Sequence, residues 1–541
     1  MYRLARSSYI ESLLPMRRVR RHLITMDLIR KFKKMCVLLA LVLAAALPAS
    51  AYDFEVDGCY YTVVSIPDLT CEFTGGADLT GEVSIPSNVT YMNRMFTVIG
   101  VGNNAFCNNS SVSKVKIPAC VTKIGKNAFH ECGLSEISIP DGVVEIGDNA
   151  FFYCPNLNSI SLPNSVQKLG INVFASSALS SVKLSDSLEE IPRYTFQWCG
   201  NLTKMILPNS VGVIGDYAFN GCINLESIEL SEGLQALGLS AFSSCKSLKS
   251  IVIPDEIVTL INNTFSGCES LSSVILSQNL QSISESAFSG CSQLTEITIP
   301  KSVKTISPLA FKNCANIETV EFCGGSLIVV RDQLYPWAFL FDDSPKLKNM
   351  IISGDFVAPK FMSYSQITNL IIKGKLDLIS CSNEKPFSNL EKISIGDDVE
   401  VLHDFSGKKL KQITLGDNIE FANTEANKLI NFSNSPNLET VTLTSSVPYF
   451  IPEANNAQYL HLKVLVPKGS LEAYQNAEGW KNFWSLQEST ETDGIADPES
   501  FTEIKECARY DIHGRKVDSS YKGLIIIRYS DGSTKKTINR Q

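Results

Sequence analysis

A phenylalanine returns every 22 or 23 residues along the middle of this 541-residue chain: Phe106, Phe129, Phe151, Phe174, Phe196, Phe219, Phe242, Phe265, Phe288 and Phe311. A fixed period of this length marks a solenoid, in which each repeat buries its apolar face only against its neighbours. Such a chain presents a long surface, so the search for function moves from a cleft to a face.

One unit shows how the period is built. From Leu225 to Cys245, Ile228 and Leu230 alternate with Ser227 and Glu229, the period of a half-buried strand. Pro163, Pro208 and Pro254 close equivalent strands; a proline ends a ladder because it has no N–H. Apolar residues then come at every third position, as in Val143 and Ile146 or Val211 and Ile214. Gly147, Gly170 or Gly215 often follows, where an unusual backbone angle is expected. An Ala-Phe pair fills the far side of the coil.

The pattern Leu-x-x-Ile-x-Ile-Pro-x-x-Val-x-x-Ile-Gly-x-x-Ala-Phe-x-x-Cys resembles the BspA-like branch of the leucine-rich-repeat family. The resemblance covers about ten units from Val98 to Glu321 and extends weakly to Val466. It implies a mainly β leucine-rich-repeat solenoid of 22–23-residue repeats, with irregular or short helical arcs, terminal caps and a small C-terminal β module. It also implies adhesion to extracellular-matrix proteins. Residues 132–134 and 176–179 are each one residue short, and Ser177 stands where the cysteine is expected.

The organisation predicted along the chain is a signal peptide at 1–51, an N-terminal cap at 52–97, regular repeats at 98–322, degenerate repeats with an insertion at 323–463, a capping unit at 464–486, a linker at 487–500 and a β module at 501–541. Basic Arg30, Lys31, Lys33 and Lys34 precede an apolar run from Met35 to Leu47, and Ala49-Ser50-Ala51 supplies a cleavage signal. That run is too short for a membrane span, and translation is expected to start at Met26 or Met35. The insertion is placed at Arg331–Lys348, with the Phe-x-x-Cys half of the repeat ending near Cys323. In the capping unit Ser470 is expected to cap a helix carrying Tyr474, Trp480, Phe483 and Trp484 on one buried face. The last segment, with Tyr510-Asp511, Gly514-Arg515, Gly523-Leu524 and an Asp531-Gly532 turn, is similar to the sorting domain of type IX secretion cargo. That likeness implies the secretion machinery as a partner, with location outside the cell or on its outer surface.

Removing residues 1–51, which hold 10 Lys/Arg and 2 Asp/Glu, takes the net charge from −8 to −16, with 38 basic and 54 acidic residues left. That disfavours nucleic acid and anionic membrane as partners. Eight of the 16 cysteines (Cys132, Cys154, Cys199, Cys222, Cys245, Cys268, Cys291 and Cys314) follow a repeat phenylalanine by three. They are expected to stack in parallel as small buried hydrophobes, poorly placed to bond to each other. Cys59 and Cys71 lie outside the ladder and are open to a disulfide in the cap.

Four histidines remain in the mature chain: His130, His403, His461 and His513. None has metal-ligand spacing, and no phosphate loop, nucleophile elbow or calcium loop occurs. His130 is expected on solvated surface. No cofactor, metal or catalytic residue is assigned, and the chain is read as a non-enzyme. An extracellular hydrolase near 325–385, using Asp342 and Asp343, ranks as a lesser alternative.

The candidate protein-binding face is the set of outward strand positions: Lys114, Lys116, Glu136, Ser159, Lys183, Lys204, Ser227, Glu229, Glu296 and Thr298, with Ser250 and Ile275 in the same register. It is small and hydroxylic, basic toward its N-terminal end and acidic toward its C-terminal end. Without an aromatic it is a poor lectin and suits a shallow protein contact. Phe152, Tyr153 and Trp198 fall on the opposite arc, where they either pack between coils or form a second patch, with packing the favoured reading. The sequence itself implies an extended binding face; the resemblance implies that it serves a secreted or cell-surface adhesin for host or neighbouring-cell proteins. The alternative is a structural envelope protein without a ligand.

Overall fold

The computed structural model describes residues 52–326, 328–329, 340–341, 343–357, 366–377, 387–401, 405–421 and 429–490, together with four C-terminal strands between 506 and 539. Residues 1–51, and with them the leader, lie outside the described residues.

The solenoid makes about 16 turns. Each regular coil opens with a three- to five-residue strand that pairs in parallel with its counterpart one coil on. Lys114 faces Glu136, Ser159 faces Ser181, Lys204 faces Ser227, and Glu296 faces Thr319. A second ladder of two-residue strands follows on the next side: Lys123–Ile124, Glu145–Ile146 and Lys168–Leu169 pair in turn. The third side is an arc of turns, and its backbone also bonds between coils. Phe129 N–H donates to Ala150 O, Phe151 to Val173 O and Phe219 to Ala241 O, each at 2.8 Å. The polar backbone is therefore satisfied along the axis on every side, as a buried main chain requires.

Two columns fill the interior. The phenylalanines stack from Phe73 through Phe106 and every repeat position to Phe311, with centroids 5.1–5.6 Å apart. Beside them the eight expected cysteines are buried and free. Seven point their thiols at a phenylalanine carbonyl of the preceding coil: Cys245 Sγ donates to Phe219 O at 3.2 Å, Cys291 to Phe265 O at 3.4 Å. Ser177 bonds within its own coil, to Phe174 O at 2.6 Å, and also meets Cys199 Sγ at 3.5 Å. Gly133 marks the shortened loop, where an added Cβ would collide with the backbone of Ser110.

The phenylalanine column does not stop at residue 323 as expected. Phe341 stacks on Phe311 at 5.2 Å, and Ser344 Oγ donates to Phe311 O at 3.3 Å in the cysteine's place. The extra residues before Phe341 leave the core column intact. Beyond it the strand ladder keeps register while coil length varies. Thr319, Asn349, Asn369, Lys392, Gln412, Thr440 and Lys463 succeed one another at steps of 30, 20, 23, 20, 28 and 23 residues.

The N-terminal end is closed by antiparallel strands Phe54–Val56, Cys59–Ser65 and Thr70–Gly76. Cys59 opposes Gly76 and Cys71 opposes Val63, so the two lie at different ends of one hairpin and both are free. Several rungs of about 3.3 Å separate them, well beyond the reach of a disulfide.

The C-terminal cap departs from expectation in three ways. Ser470 makes no capping bond to its helix; its hydroxyl donates to Pro467 O at 2.6 Å. The helix is short, Leu471–Asn476, with a separate 3-10 turn at Trp480–Asn482. Tyr474, Trp480 and Phe483 are buried, but Trp484 is 80% exposed. The final strand, Leu486–Glu488, pairs with Val464–Val466 and so runs into the segment read as linker. A second helix, Asn456–His461, carries a full capping box from Asn455 and Gln458. The C-terminal strands Glu506–Asp511, Lys516–Val517, Gly523–Tyr529 and Thr534–Asn539 form one antiparallel sheet. The Asp531-Gly532 turn itself is outside the described residues.

Phe219→Ala, in mid-column, should cost about 3–5 kcal/mol, as large core truncations do, read as a fall in urea midpoint. The cysteines predict a pH effect. Burial raises their thiols, Cys132 and Cys199 to about 11 and Cys268 and Cys314 to about 12, from an ordinary 9.0. Above pH 9 the unfolded chain loses these protons while the folded chain keeps them. Stability is therefore whole below pH 9 and falls as pH rises toward 12, by about 1.4 kcal/mol per pH unit per thiol. Urea midpoints measured from pH 8 to 10.5 should drop steeply above 9. A flat profile would show that the thiols are not buried in this way.

Candidate functional site

The strand ladder fixes every candidate residue on one side of the solenoid, because alternate residues of a strand face opposite ways. Most are outward as expected. Glu136, Ser159, Ser161, Lys183, Lys204 and Glu296 are exposed, and Ser227, Glu229 and Thr298 are half-buried. Two positions differ. Ser250 is 4% exposed and Ile275 is at the edge of burial, so in mid-solenoid this side is closed over by its neighbours.

The positive end of the face is largely neutralised. Lys114 pairs with Glu136 at 3.0 Å, Lys116 with Glu82 at 2.5 Å and Lys204 with Glu229 at 3.2 Å. These exposed pairs add little stability. They remove the free cations that a count of lysines suggests. Glu82, absent from the sequence reading, stands in the cap strand Gly81–Ser84 next to Lys114 and Lys116. Toward the other end Thr298 donates to Glu321 at 3.2 Å.

Lys183 is an exposed cation with no ion pair among the described residues. It borders a depression of about 620 Å³ spanning three coils, lined by Ser138, Asp141, Ser161, Asn164 and Ser165 around Leu162 and Pro163. Asn164 is held by Asp186: its side-chain N–H donates to the carboxylate at 3.1 Å and its Oδ1 accepts Asp186 N–H at 3.1 Å. The exposed lining is thus mostly polar, with hydroxyls and both signs of charge around the buried Leu162.

The other polar candidates scatter. His130 is half-buried against Phe152, with ring centroids 5.0 Å apart, and burial lowers its pKa; the solvated position expected of it is not found. His461 ends the helix Asn456–His461, while His403, His513 and Asp342 lie outside the described residues. Asp343 approaches Lys312 at 4.0 Å. Asp397 accepts the N–H of Asp417 at 2.6 Å, a bond that ties one coil to the next. Among the described residues no cluster of His, Cys, Asp and Glu could hold a metal, and no helix is long and apolar enough to cross a membrane.

The outer arc holds what the sequence reading misplaced. Its turns contain two left-handed positions per coil, two residues before and two after each phenylalanine. Asparagine, serine and glycine occupy most of them, as that backbone favours. Tyr153 (φ 53°), Tyr194 (φ 62°), Trp198 (φ 58°) and Tyr217 (φ 57°) are exceptions, each held at a cost of roughly 1–2 kcal/mol. Tyr153 and Trp198 are 52% and 61% exposed, Trp198 with its indole against Gly221 of the next coil. The signal was present in the sequence as aromatics at loop positions one register removed from the core phenylalanine.

The BspA type leucine rich repeat region family matches residues 81–203, 189–318 and 338–460. Among solved structures the chain is similar to a leucine-rich repeat protein from Bacteroides ovatus, at 22% identity over 81% of this chain and 99% of that one, with a TM-score of 0.45. It is also similar to a leucine rich cell surface protein from Faecalibacterium prausnitzii (19% identity, 69% and 96% covered, TM-score 0.38). A third is the pneumococcal vaccine antigen PcpA (18% identity, 74% and 98% covered, TM-score 0.34). No curated protein matches.

Proposed function

The chain belongs to the BspA type leucine-rich repeat family, and on that premise we propose that it is a secreted or surface-held adhesin that grips extracellular host or neighbouring-cell proteins through its strand face. The observation that carries this reading is the depression beside Lys183. There Leu162, buried, and Pro163, half-buried, sit among hydroxyls, Asp141 and a lysine without an ion pair, and most of the exposed lining is polar. A contact of that kind takes one or two anchor side chains of a partner and surrounds them with exchangeable hydrogen bonds. The paired lysines at 114, 116 and 204 set the boundary of the contact, since each already has a carboxylate.

Export is part of the same proposal. The basic and apolar run before Ala51 supports a cleaved leader, and the antiparallel sheet between 506 and 539 supports reading 501–541 as a sorting module. The reading is one of binding and assigns no catalytic residue.

Purified full-length chain should bind one or two members of a panel of immobilised extracellular-matrix and plasma proteins, saturably and at physiological salt. Lys183→Glu should weaken that binding at least tenfold, while Lys116→Glu should weaken it less. Surface plasmon resonance reads both. Absence of saturable binding across the panel would leave a structural envelope role in its place.

A further inference from the structure

The arc opposite the strand face carries its own set of exposed rings. At the position two residues after each phenylalanine the chain reads Asn108, Glu131, Tyr153, Ser176, Trp198, Gly221, Ser244, Gly267, Gly290 and Asn313, and every one has a positive φ. Glycine, asparagine and serine answer that backbone demand. Tyrosine and tryptophan answer it worst, and here they also leave their rings in water. Two penalties at the same two positions, with no core to fill, point to a role in binding.

The neighbours shape the rings into a platform. The Trp198 indole lies against Gly221, where any Cβ would strike the ring. One coil on from Tyr153, and one before Trp198, the column holds only Ser176. Phe151, Phe174 and Phe196, two residues before these positions, step by 5.6 and 5.5 Å. The two aromatic positions are therefore about 11 Å apart along the axis, close to two inter-strand spacings. Beside Trp198 stand neutral hydrogen-bonding groups: Gln197 donates to Asn220 Oδ1 at 3.3 Å, and Asn220 donates to Ser243 O at 3.1 Å; the exposed Glu131 holds the position one coil before Tyr153. The nearby Arg193 is engaged by Asp216 at 3.2 Å and lies over the Tyr194 ring. Tyr194 in turn stacks on Tyr217 at 5.2 Å.

We propose that Tyr153 and Trp198 form a carbohydrate-binding ledge that stacks two rings of one extended, neutral polysaccharide chain. A pyranose ring offers an apolar face of C–H groups that suits the electron-rich face of an aromatic ring. Its hydroxyls then meet amides and serines beside Trp198, and the Glu131 carboxylate one coil before Tyr153 can accept from them. An extended glycan repeats along a line, as the ledge does. A peptide partner would need a groove for its backbone, and this arc supplies flat rings on a ridge of turns. The ledge is separate from the Lys183 depression, so the two readings stand or fall independently.

The test is affinity electrophoresis of the full-length chain in native gels containing barley β-glucan, xylan, glucomannan or mannan. At least one polysaccharide should retard the protein. Trp198→Gly and Tyr153→Gly should each cut the apparent affinity at least tenfold, and Lys183→Glu should leave it unchanged. Because glycine suits the left-handed backbone, both variants should melt at the same temperature as the parent or higher. Retardation by none of the four polysaccharides would overturn the proposal, as would retardation that survives both substitutions. A fall of several degrees in the melting temperature of Trp198→Gly would assign the ring to packing. Loss of an extracellular-matrix protein's binding in that variant, with no polysaccharide bound, would make the ledge a protein contact and would equally overturn it.

Discussion

Everything in this molecule depends on the fact that a coil cannot satisfy itself. Each turn of about 23 residues makes few hydrogen bonds and little core of its own. Its strand, its two-residue ladder and its arc all close on the next coil, and its phenylalanine, packed among buried Leu, Ile, Val and Cys, stacks on the phenylalanines above and below. Stability is therefore a chain of nearest-neighbour terms. The ends are the weak points, which is why both differ in kind from the middle. Antiparallel hairpins cover the first coil, and Tyr474, Trp480 and Phe483 cover the last. The Trp480 indole N–H donates to Phe450 O at 3.0 Å, closing a carbonyl at the terminal interface.

The same dependence explains what varies and what does not. A coil may lengthen from 23 residues to 30, as before Asn349, while its strand keeps register with the coil before it. It may not lose its place in the column, so Phe341 returns to the stack and Ser344 takes the cysteine's bond. The cysteine is held by size and by its weak donor. Seven thiols reach a carbonyl one coil back, and serine does related work at 177 and 344. The ladder is in this sense a set of small buried donors with no redox pairing among them.

The fold was largely legible because solenoid order is written in register. Phe, Cys, Ile-Pro and Gly recur at fixed offsets, and each offset maps to one place on the coil. What failed to read lies where offset alone decides nothing. Phe341 hid behind an insertion that shifted its spacing. Ser470 precedes a helix, yet its hydroxyl turns back to Pro467, a choice of rotamer that no pattern records. Cys59 and Cys71 looked like partners by compartment, but hairpin pairing set them apart. On the strand face the alternation gave outwardness correctly at Lys183 and Ser159. It could not show that Lys114 and Lys116 are matched with Glu136 and Glu82 on neighbouring coils, because cross-strand pairing is a property of the assembled ladder.

A left-handed position in each regular arc from Phe106 to Phe311 gives this fold a means of display that ordinary sheets lack. The side chain there lies outside the phenylalanine column, so the core does not fix its identity. What constrains it is the cost of a Cβ at positive φ, lowest for glycine and asparagine, and, for a ring as large as Trp198, the need for glycine at the same place one coil on. A solenoid of many coils tolerates a few strained positions, since each coil's deficit is shared through two interfaces. Aromatic residues at 153 and 198 use that tolerance, and they do so in the regular middle of the solenoid, where the phenylalanine stack holds adjacent arcs about 5.5 Å apart. The rigidity of the interior thereby becomes spacing on the exterior. The strand side uses the same rule differently: there the ladder pairs charges across coils and leaves one lysine beside a depression. One repeating core thus carries two surfaces, each specified by positions that the core does not need.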